Sequence, residues 1–259
     1  MIRRDPIEEA LDSAIEHTRG GNAVQPAMPH PLKAIAFDLD STLSYYPLTV
    51  QEVIERAVAR AGFPSGHFGA PAELAADYDT AWWAAEEELR VPTSELRRRA
   101  WSGVLEARGF EDPAAITRLA AAYGEIRRET GFRLFEGARS LLADLRKVYR
   151  LGILTNGPSD MQWEKLRTLE LPSAVDGIVV AGDAGAFKPD PRPFRQLLEQ
   201  LDASPEAAVF VGDSFEHDIV GAHGVGMCTV WISDDGDATR VPKPDHVISH
   251  VSKLREILL

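Results

Sequence analysis

Two aspartates that follow a short apolar run, Asp38 and Asp40, carry the strongest chemical signal in this chain of 259 residues. The run, Ala34–Phe37, is typical of a buried strand, and the carboxyl ends of strands are where open α/β sheets bind ligands. A carboxylate at such an end can act as a nucleophile, and a second one nearby can transfer a proton. Taken alone, the pair is equally compatible with a solvated, aspartate-rich turn, because aspartate is a common turn residue.

Polar residues follow the later apolar runs of the chain in the same way. They are Thr155, Asn156 and Gly157 after residues 151–154, Lys188 in the loop after residues 177–180, and Gly212, Asp213 and Ser214 after residues 208–211, with Asp218 five positions beyond Asp213. If these runs are parallel strands, all of these residues emerge at one edge of the sheet. Asp38 and Thr155 can then meet in space although they are far apart in sequence.

The pattern from residue 135 onward supports that sheet. Helices are predicted at about 138–149, 159–170, 191–201 and 215–224, and strands at 151–154, 177–180, 208–211 and 227–232, with a last short strand at 247–248. Short apolar strands that alternate with helices are typical of a parallel sheet covered on both faces. With right-handed crossovers, the predicted fold class is α/β with a doubly wound parallel sheet.

A block without strand signals separates the first strand from the rest. Residues 46–132 are rich in Ala, Glu, Arg and Leu and predict four helices, at about 50–61, 73–90, 94–108 and 112–129. This pattern predicts an all-helical domain inserted into a core of residues 31–45 and 133–259. Residues 1–30, with a predicted helix at 6–18 and a proline-rich linker, form an extension that is either a frayed tail or a docking or dimerisation element.

The aspartates at the predicted sheet edge need a compensating cation. At separations of about 4–6 Å and an effective dielectric constant near 20, each carboxylate pair repels by roughly 3–4 kcal/mol. Oxygen ligands without a nearby cysteine favour a hard ion, so we expect Mg²⁺ rather than zinc, although His217 is close in sequence. Lys188 supplies a second positive charge, and Thr155, Asn156 and the N–H groups near Gly157 offer hydrogen bonds to anionic oxygens.

A metal ion, a lysine and hydrogen-bond donors around a nucleophilic carboxylate are suited to phosphoryl transfer. Hydrolysis of phosphate monoesters is among the slowest uncatalysed reactions and requires rate acceleration of up to ~10²¹. Covalent catalysis by a carboxylate, with neutralisation of the charge on the phosphoryl oxygens, is one way to reach such acceleration.

These residues resemble the haloacid dehalogenase (HAD) superfamily of phosphatases. Four segments in the same order carry the resemblance: Asp38 to Leu43, Thr155 to Gly157, Lys188-Pro189 and Gly212 to Asp218. Each segment is a weak signal alone, but together, each after a predicted strand, they are specific. The helical block at 46–132 lies where that family carries its cap domain, and the resemblance implies a Rossmann-like HAD core.

The resemblance also implies a role for each matching residue. Asp38 is expected to form an aspartyl-phosphate, and Asp40 to protonate the leaving oxygen and then activate water. Thr155, helped by the Asn156–Gly157 region, is expected to hold a phosphoryl oxygen, and Lys188 to offset charge on Asp38 and the phosphoryl group. Asp38, the Asp40 backbone carbonyl and Asp213 are the expected Mg²⁺ ligands, with Asp218 as a ligand or an anchor. His217 stands where many relatives have asparagine, a peripheral difference.

The expected function is hydrolysis of a small phosphorylated metabolite. Dehalogenases of the superfamily lack the second aspartate, so Asp40 favours phosphate esters. A phosphomutase of the same superfamily keeps both aspartates and stays open. Two other classes are a phosphate-receiving signalling domain, which usually lacks an inserted cap and the second aspartate, and a non-catalytic binding protein, which the full set of catalytic residue types disfavours.

Substrate choice is expected to lie in the helical block, which would close over the site. Its most distinctive residues are Trp82-Trp83, Arg97-Arg98-Arg99 and, at its entry, Tyr45-Tyr46. The tryptophans either stack on a base or sugar or, for one of them, pack in the core. The arginines either hold a second anionic group or form a solvated helix face.

Composition narrows the partners and the compartment. The net charge of −12 argues against a nucleic-acid binder, which usually has a basic surface. No apolar stretch reaches the roughly 18 residues of a membrane span, and the single cysteine, Cys228, excludes an intrachain disulfide. A reducing, cytoplasmic location without nucleic-acid or membrane partners is therefore expected.

Overall fold

The computed structural model describes residues 31–86, 91–234, 236, 237 and 239–259, and its centre is a six-stranded parallel sheet. The strands in chain order are β1 (Ala34–Phe37), β2 (Ser44–Tyr45), β3 (Arg133–Leu134), β4 (Arg150–Thr155), β5 (Gly177–Val180), β6 (Ala208–Gly212), β7 (Cys228–Ile232) and β8 (His246–Ile248). The order across the large sheet is β5-β4-β1-β6-β7-β8, and β2 pairs with β3 in a separate antiparallel ribbon. The predicted fold class is confirmed.

Strand β1 lies in the middle of the sheet because both of its faces are apolar. Its four side chains are fully buried. Since successive side chains of a strand point to opposite faces, Ile35 and Phe37 pack into one hydrophobic layer and Ala34 and Ala36 into the other. A strand that is buried on both faces needs helices on both sides, and this is the layered arrangement that the alternating pattern predicts.

The register of β1 places the polar strand ends at one edge. Phe37 pairs with Ile153 of β4 and Val211 of β6, so the residues that follow it run alongside Thr155 and Gly212. The backbone N–H of Asp38 donates to the carbonyl of Val211 at 2.9 Å. The meeting of distant residues that a parallel sheet implies is therefore present.

The helices cover the sheet and form a second layer above its edge. They are α1 (Val50–Arg60), α2 (Pro71–Glu86), α3 (Thr93–Glu106), α4 (Pro113–Thr130), α5 (Ala138–Leu145), α6 (Ser159–Thr168), α7 (Ala181–Ala184), α8 (Pro191–Gln200), α9 (Val220–Val225) and α10 (Leu254–Leu258). The predicted helix at 6–18, the linker and the end of the predicted helix at 73–90 lie outside the described residues.

Two predicted core helices differ from the structure. The helix predicted to reach residue 149 ends at Leu145, because Arg150 already belongs to β4 and donates its N–H to the Lys33 carbonyl at 2.9 Å. The helix predicted at 215–224 begins with a wider π-helical turn over Phe215–Ile219 before α9. Such turns are frequent at functional sites, and this one contains Asp218.

Helices α1 to α4, called the helical insertion (residues 46–132) below, have a hydrophobic core of their own. Ile54, Trp101 and Leu119 are among its fully buried members. The helix starts follow known capping rules: Thr49 and Glu52 form a capping box at α1, and Asp112 caps α4 just before a proline. This separate core explains why the block reads as helical without reference to the sheet.

Two kinds of contact join the helical insertion to the sheet. The ribbon of β2 and β3 holds its two ends together, with Ser44 opposite Leu134 and Tyr45 opposite Arg133. At the start of α3, the N–H and hydroxyl of Thr93 donate to the carboxylate of Asp160 in α6, at 3.1 and 2.6 Å. The ribbon strands are too short to give a periodic signal, so the sequence did not predict them.

Within the described residues, no helix is both long enough and apolar enough to cross a membrane.

Candidate active site

The site is organised around one buried ammonium group at the carboxyl edge of the sheet. Lys188 Nζ donates to Asp38 Oδ1 at 2.5 Å, to Asp218 Oδ1 at 2.7 Å and to the backbone carbonyl of Leu154 at 3.1 Å. The Lys188 residue is only 3% exposed, so these three acceptors replace water around its charge. A buried lysine that is fully hydrogen-bonded in this way is held rigidly between the two carboxylates.

The side chain of Asn156 positions the backbone of Lys188. Its Oδ1 accepts from the Lys188 N–H at 2.8 Å, and its Nδ2 donates to the Lys188 carbonyl at 3.1 Å. Because both ends of the amide are occupied, its side chain joins the loop after β4 to the loop that carries the lysine. Beside it, the Thr155 hydroxyl is buried at the end of β4 and donates to the Asn156 carbonyl at 3.3 Å.

Three carboxylates next to Lys188 are spaced for one cation. One oxygen from each of Asp38, Asp213 and Asp218 lies within 4.8 Å of the others. Oxygen ligands of one octahedral Mg²⁺ are about 3 to 4.2 Å apart, so a separation of at most 4.8 Å is close to what a shared ion requires. An all-oxygen, carboxylate-rich set is the donor chemistry that Mg²⁺ prefers. These residues fit the expected ion.

Two hydrogen bonds hold the carboxylates of Asp213 and Asp218 in place. The hydroxyl of Thr42 donates to Asp213 Oδ1 at 3.3 Å, and the N–H of Ser214 donates to Asp218 Oδ2 at 3.0 Å. Gly212 makes the second contact possible, because a Cβ atom at this position would overlap the Asp218 carboxylate. Gly212 is therefore required because the Asp218 carboxylate packs directly against its Cα atom.

The electrostatics of the three clustered carboxylates favour the binding of a cation. Burial raises the pKa of Asp38 well above its usual value; Lys188 opposes this rise and Asp218 adds to it. Burial, and then the charge of Asp218, raise the pKa of Asp213 to about 6. Burial lowers the pKa of Lys188, but Asp218 and Asp38 more than offset this, so the lysine stays charged. One ammonium does not balance three carboxylates, and a divalent ion would restore the lower pKa values of the acids.

Asp40 has a separate set of partners. Its Oδ2 accepts from Lys165 Nζ at 2.6 Å and from Gln162 Nε2 at 3.1 Å, and both donors come from helix α6. Burial raises the pKa of Asp40, but Lys165 and then Gln162 lower it below its usual value. The Asp40 carboxylate is thus held apart from the three clustered acids, and the expected contact of its backbone carbonyl with a metal ion stays a prediction.

Gln162 and Lys165 are site residues that sequence reasoning did not assign. The sequence offered one signal, since two polar side chains three residues apart lie on the same face of the predicted helix, and the structure shows that both are buried. Their target, however, lies 122 and 125 residues earlier in the chain. Gly157 belongs to the same corner, because its φ of +124° favours glycine and a Cβ atom there would lie 2.5 Å from Gln162 Nε2.

Comparison with known proteins identifies the family. The sequence model of the haloacid dehalogenase-like hydrolases matches residues 32–226. The chain belongs to this family.

Curated relatives of this chain include phosphatases of the HAD family. The chain is 31% identical to a glyceraldehyde 3-phosphate phosphatase of Pyrococcus furiosus, over 88% of this chain and 93% of that protein. It is 29% identical to the N-acylneuraminate-9-phosphatase of Rattus norvegicus, over 88% and 94% of the two chains. A solved structure of the HAD hydrolase YfnB from Bacillus subtilis is 26% identical, with a TM-score of 0.69 over 88% of this chain and 98% of that chain. The predicted family and the predicted enzyme class, a phosphoric monoester hydrolase, are confirmed.

This HAD chain uses the distinctive residues of its helical insertion in different ways. Arg98 and Arg99 form ion pairs with Glu95 on the same helix, at 2.7 and 3.0 Å, which agrees with the solvated-face reading for these two. Tyr45 packs against Phe135, with ring centroids 5.0 Å apart. Arg97, by contrast, turns inward and lines a cavity.

The two tryptophans and Tyr46 also differ from one another. Trp83 is 59% exposed. Trp82 is half-buried, and its ring centroid lies 6.3 Å from that of Tyr78. The Tyr46 hydroxyl donates to the carbonyl of Ile126 at 3.1 Å, so this residue ties the entry of the insertion to helix α4.

Proposed function

We propose that this protein is a Mg²⁺-dependent phosphatase that hydrolyses a small phosphomonoester through an aspartyl-phosphate on Asp38. The observation that carries the proposal is the buried ammonium of Lys188, which bridges Asp38 and Asp218 beside Asp213. The names of the HAD relatives and the magnesium bound to the similar YfnB structure support it.

The first step forms a bond between Asp38 and phosphorus while the ester bond to the leaving oxygen breaks. Lys188 donates to Asp38 Oδ1 and so fixes the carboxylate in position for the attack. Because Lys165 lowers its pKa, Asp40 must first take up a proton from solvent or substrate; it then gives that proton to the leaving oxygen, so the alcohol departs neutral. Thr155 and the N–H groups near Gly157 lie at the same edge and are suited to hold the phosphoryl oxygens.

The second step returns Asp38 to its starting state. Asp40, now ionised, takes a proton from a water molecule, which attacks phosphorus and releases inorganic phosphate. Asp38, Asp213 and Asp218, with the Asp40 carbonyl, are the residues that would hold Mg²⁺, and the bound ion would neutralise charge on the phosphoryl oxygens. Lys188 contributes the same kind of neutralisation from the protein side.

The test is phosphate release by the Asp38→Asn variant. The substitution keeps the shape of the side chain and removes the nucleophile, so we expect activity on a panel of phosphomonoesters to fall by on the order of 10⁴-fold. The exposed Asp202→Asn serves as the matched control and should behave as wild type. Near-normal turnover by the Asp38→Asn variant would contradict the proposed mechanism.

The same assay separates the competing classes. Release of phosphate that stops on chelation and returns with Mg²⁺ supports the phosphatase. Conversion of a sugar phosphate into its isomer without release indicates a mutase, and lasting phosphorylation of Asp38 indicates a signalling domain. Mass spectrometry of the protein after exposure to substrate distinguishes that last outcome.

A further inference from the structure

A cavity between the helical insertion and helix α6 contains two guanidinium groups. It measures about 160 Å³, and its lining includes Arg97 of α3, Arg127 of α4 and Met161 of α6. A smaller cavity of about 50 Å³ shares these three residues and extends to Phe132. The two arginines therefore lie where the two cavities adjoin, at the junction of the insertion and the core.

Arg97 differs from its two neighbours in sequence. Arg98 and Arg99 pair with Glu95, but no described residue forms a hydrogen bond or ion pair with Arg97, which is half-buried. Burial lowers the pKa of Arg97; Tyr78 and Tyr123 oppose this, Arg127 and Arg128 add to it, and the net change is a decrease. A half-buried cation among other cations is unfavourable unless an anion completes the site.

The helix beside Arg97 is shaped to accept it. Gly124 lies in the middle of α4, where glycine stabilises a helix less than alanine does. A Cβ atom at Gly124 would lie 2.7 Å from Arg97 Nη1, so the glycine leaves room for the guanidinium against the helix backbone. This close contact between the guanidinium and Gly124 fixes the inward orientation of the Arg97 side chain.

A second polar group in the cavity also lacks a partner. Tyr78 lines the larger cavity and is 1% exposed, yet its hydroxyl has no hydrogen-bond partner among the described residues. Its ring stacks on Tyr123 with centroids 4.7 Å apart, which holds it in place. A buried hydroxyl without a partner is costly, and a ligand that accepts its hydrogen bond removes that cost.

Arg127 is close enough to the sheet edge for its charge to lower the pKa of Asp40. Phe132 separates the two regions: the Arg127 guanidinium is 5.2 Å from its ring centroid and Lys165 Nζ is 4.8 Å from it. Lys165 in turn contacts Asp40 at 2.6 Å. The acids that line the cavities, Asp79 and Glu164, form no ion pair with either arginine.

We propose that Arg97 and Arg127 bind a second anionic group of the phosphomonoester substrate, either a carboxylate or a second phosphate. Guanidinium groups present paired N–H donors that match the oxygens of both anions. The proposal rests on the proposed function and names its substrate class: small phosphomonoesters that carry another negative charge at the end away from the reacting phosphate.

Calorimetric binding to the Asp38→Asn variant with Mg²⁺ tests this without turnover. The probes are matched pairs, 3-phosphoglycerate against glyceraldehyde 3-phosphate for the carboxylate, and fructose 1,6-bisphosphate against fructose 6-phosphate for the second phosphate. We expect at least about tenfold tighter binding of the more anionic member in one pair, and the pair that shows it identifies the anion. Adding Arg97→Gln should bring that ratio close to one, and the control Arg98→Gln should leave it unchanged.

The outcomes separate this proposal from the proposed function. Equal affinities within both pairs, or a preference that survives Arg97→Gln, would overturn the anion subsite. Failure of the wild-type protein to hydrolyse p-nitrophenyl phosphate would count against the phosphatase, while the binding ratios still decide the subsite. If Arg97→Gln does not fold, Arg97→Lys retains the charge without the paired donors and should give an intermediate ratio.

Discussion

The sheet edge and the helical insertion differ in whether their buried polar and charged groups have hydrogen-bond partners. At the sheet edge, Lys188 is surrounded by three acceptors and each neighbouring carboxylate has a donor. In the helical insertion, Arg97 and the Tyr78 hydroxyl are buried or half-buried without a partner among the described residues. The first arrangement leaves an excess of negative charge, and the second leaves hydrogen-bond donors without acceptors.

This difference corresponds to two tasks. Chemistry on a phosphoryl group is expected to be the same for every substrate, so its residues can be fixed by the fold and preorganised. Recognition of one metabolite requires donors that remain free until the metabolite binds. The contrast predicts that substitutions at the sheet edge change stability and turnover, whereas substitutions in the insertion change selectivity.

The largest effect is expected from Lys188→Met measured in the presence of a chelator. The substitution leaves Asp38 and Asp218 buried without their shared cation, which should cost about 3–5 kcal/mol of unfolding free energy. Urea unfolding measures it, and Lys147→Met, which removes only an exposed pair with Asp144, serves as the control. Added Mg²⁺ should recover part of the loss in Lys188→Met; a loss below 1 kcal/mol would contradict the central role of this lysine.

Two glycines give a matched pair of intermediate effects. Gly212→Ala forces the Asp218 carboxylate away from Ser214 and Lys188, and should destabilise the protein by about 2–3 kcal/mol. Gly124→Ala meets only the end of the Arg97 side chain and gains helix propensity, so stability should stay constant or rise by up to about 1 kcal/mol.

The selectivity of Gly124→Ala completes this pair of variants. Because the new methyl group displaces the Arg97 guanidinium from the backbone of α4, the preference for the more anionic ligand should fall, although the protein is no less stable. Thermal unfolding and the calorimetric ratios measured on the same samples check both parts. A drop in stability for Gly124→Ala equal to that of Gly212→Ala would remove the contrast between the two regions.

The smallest effect concerns two acids whose pKa values are both lowered. Burial raises the pKa of Asp176 in the core, but the Leu151 N–H at 2.9 Å, and then Arg146 and Arg150, lower it more. Arg98 and Arg99 lower the pKa of Glu95, in the insertion, to about 2, but these pairs are largely exposed to solvent. Only Asp176 should therefore contribute measurably to stability.

The sign follows from the lowered folded-state pKa of Asp176. Its stabilisation is complete above the unfolded-state pKa of about 4 and is lost as the pH falls through the folded-state value. Asp176→Asn should cost about 1–2 kcal/mol at pH 7, and the difference from wild type should shrink towards pH 3. Urea titrations across that range test it, with Glu95→Gln expected to match wild type throughout.

Much of this architecture was predictable because its signals are local. Apolar runs such as Ala34–Phe37 define strands, and helical spacing with caps such as Asp112 defines helices. The ribbon of β2 and β3 escaped prediction because two-residue strands have no period. The π-helical turn at Phe215–Ile219 escaped because it depends on where the Asp218 carboxylate must point.

The sequence by itself determined which residues stand at the carboxyl edge of the sheet, because parallel strands bring all their ends to one side. It therefore identified Asp38, Lys188, Asp213 and Asp218 as neighbours before any coordinates. Only the tertiary structure decided which side chain contacts which. Three such contacts join distant segments of the chain. The Asn156 side chain binds the Lys188 backbone, Lys165 donates to Asp40, and the Arg97 guanidinium lies against Gly124. Such pairings depend on side-chain packing across the fold, for which local patterns carry no information.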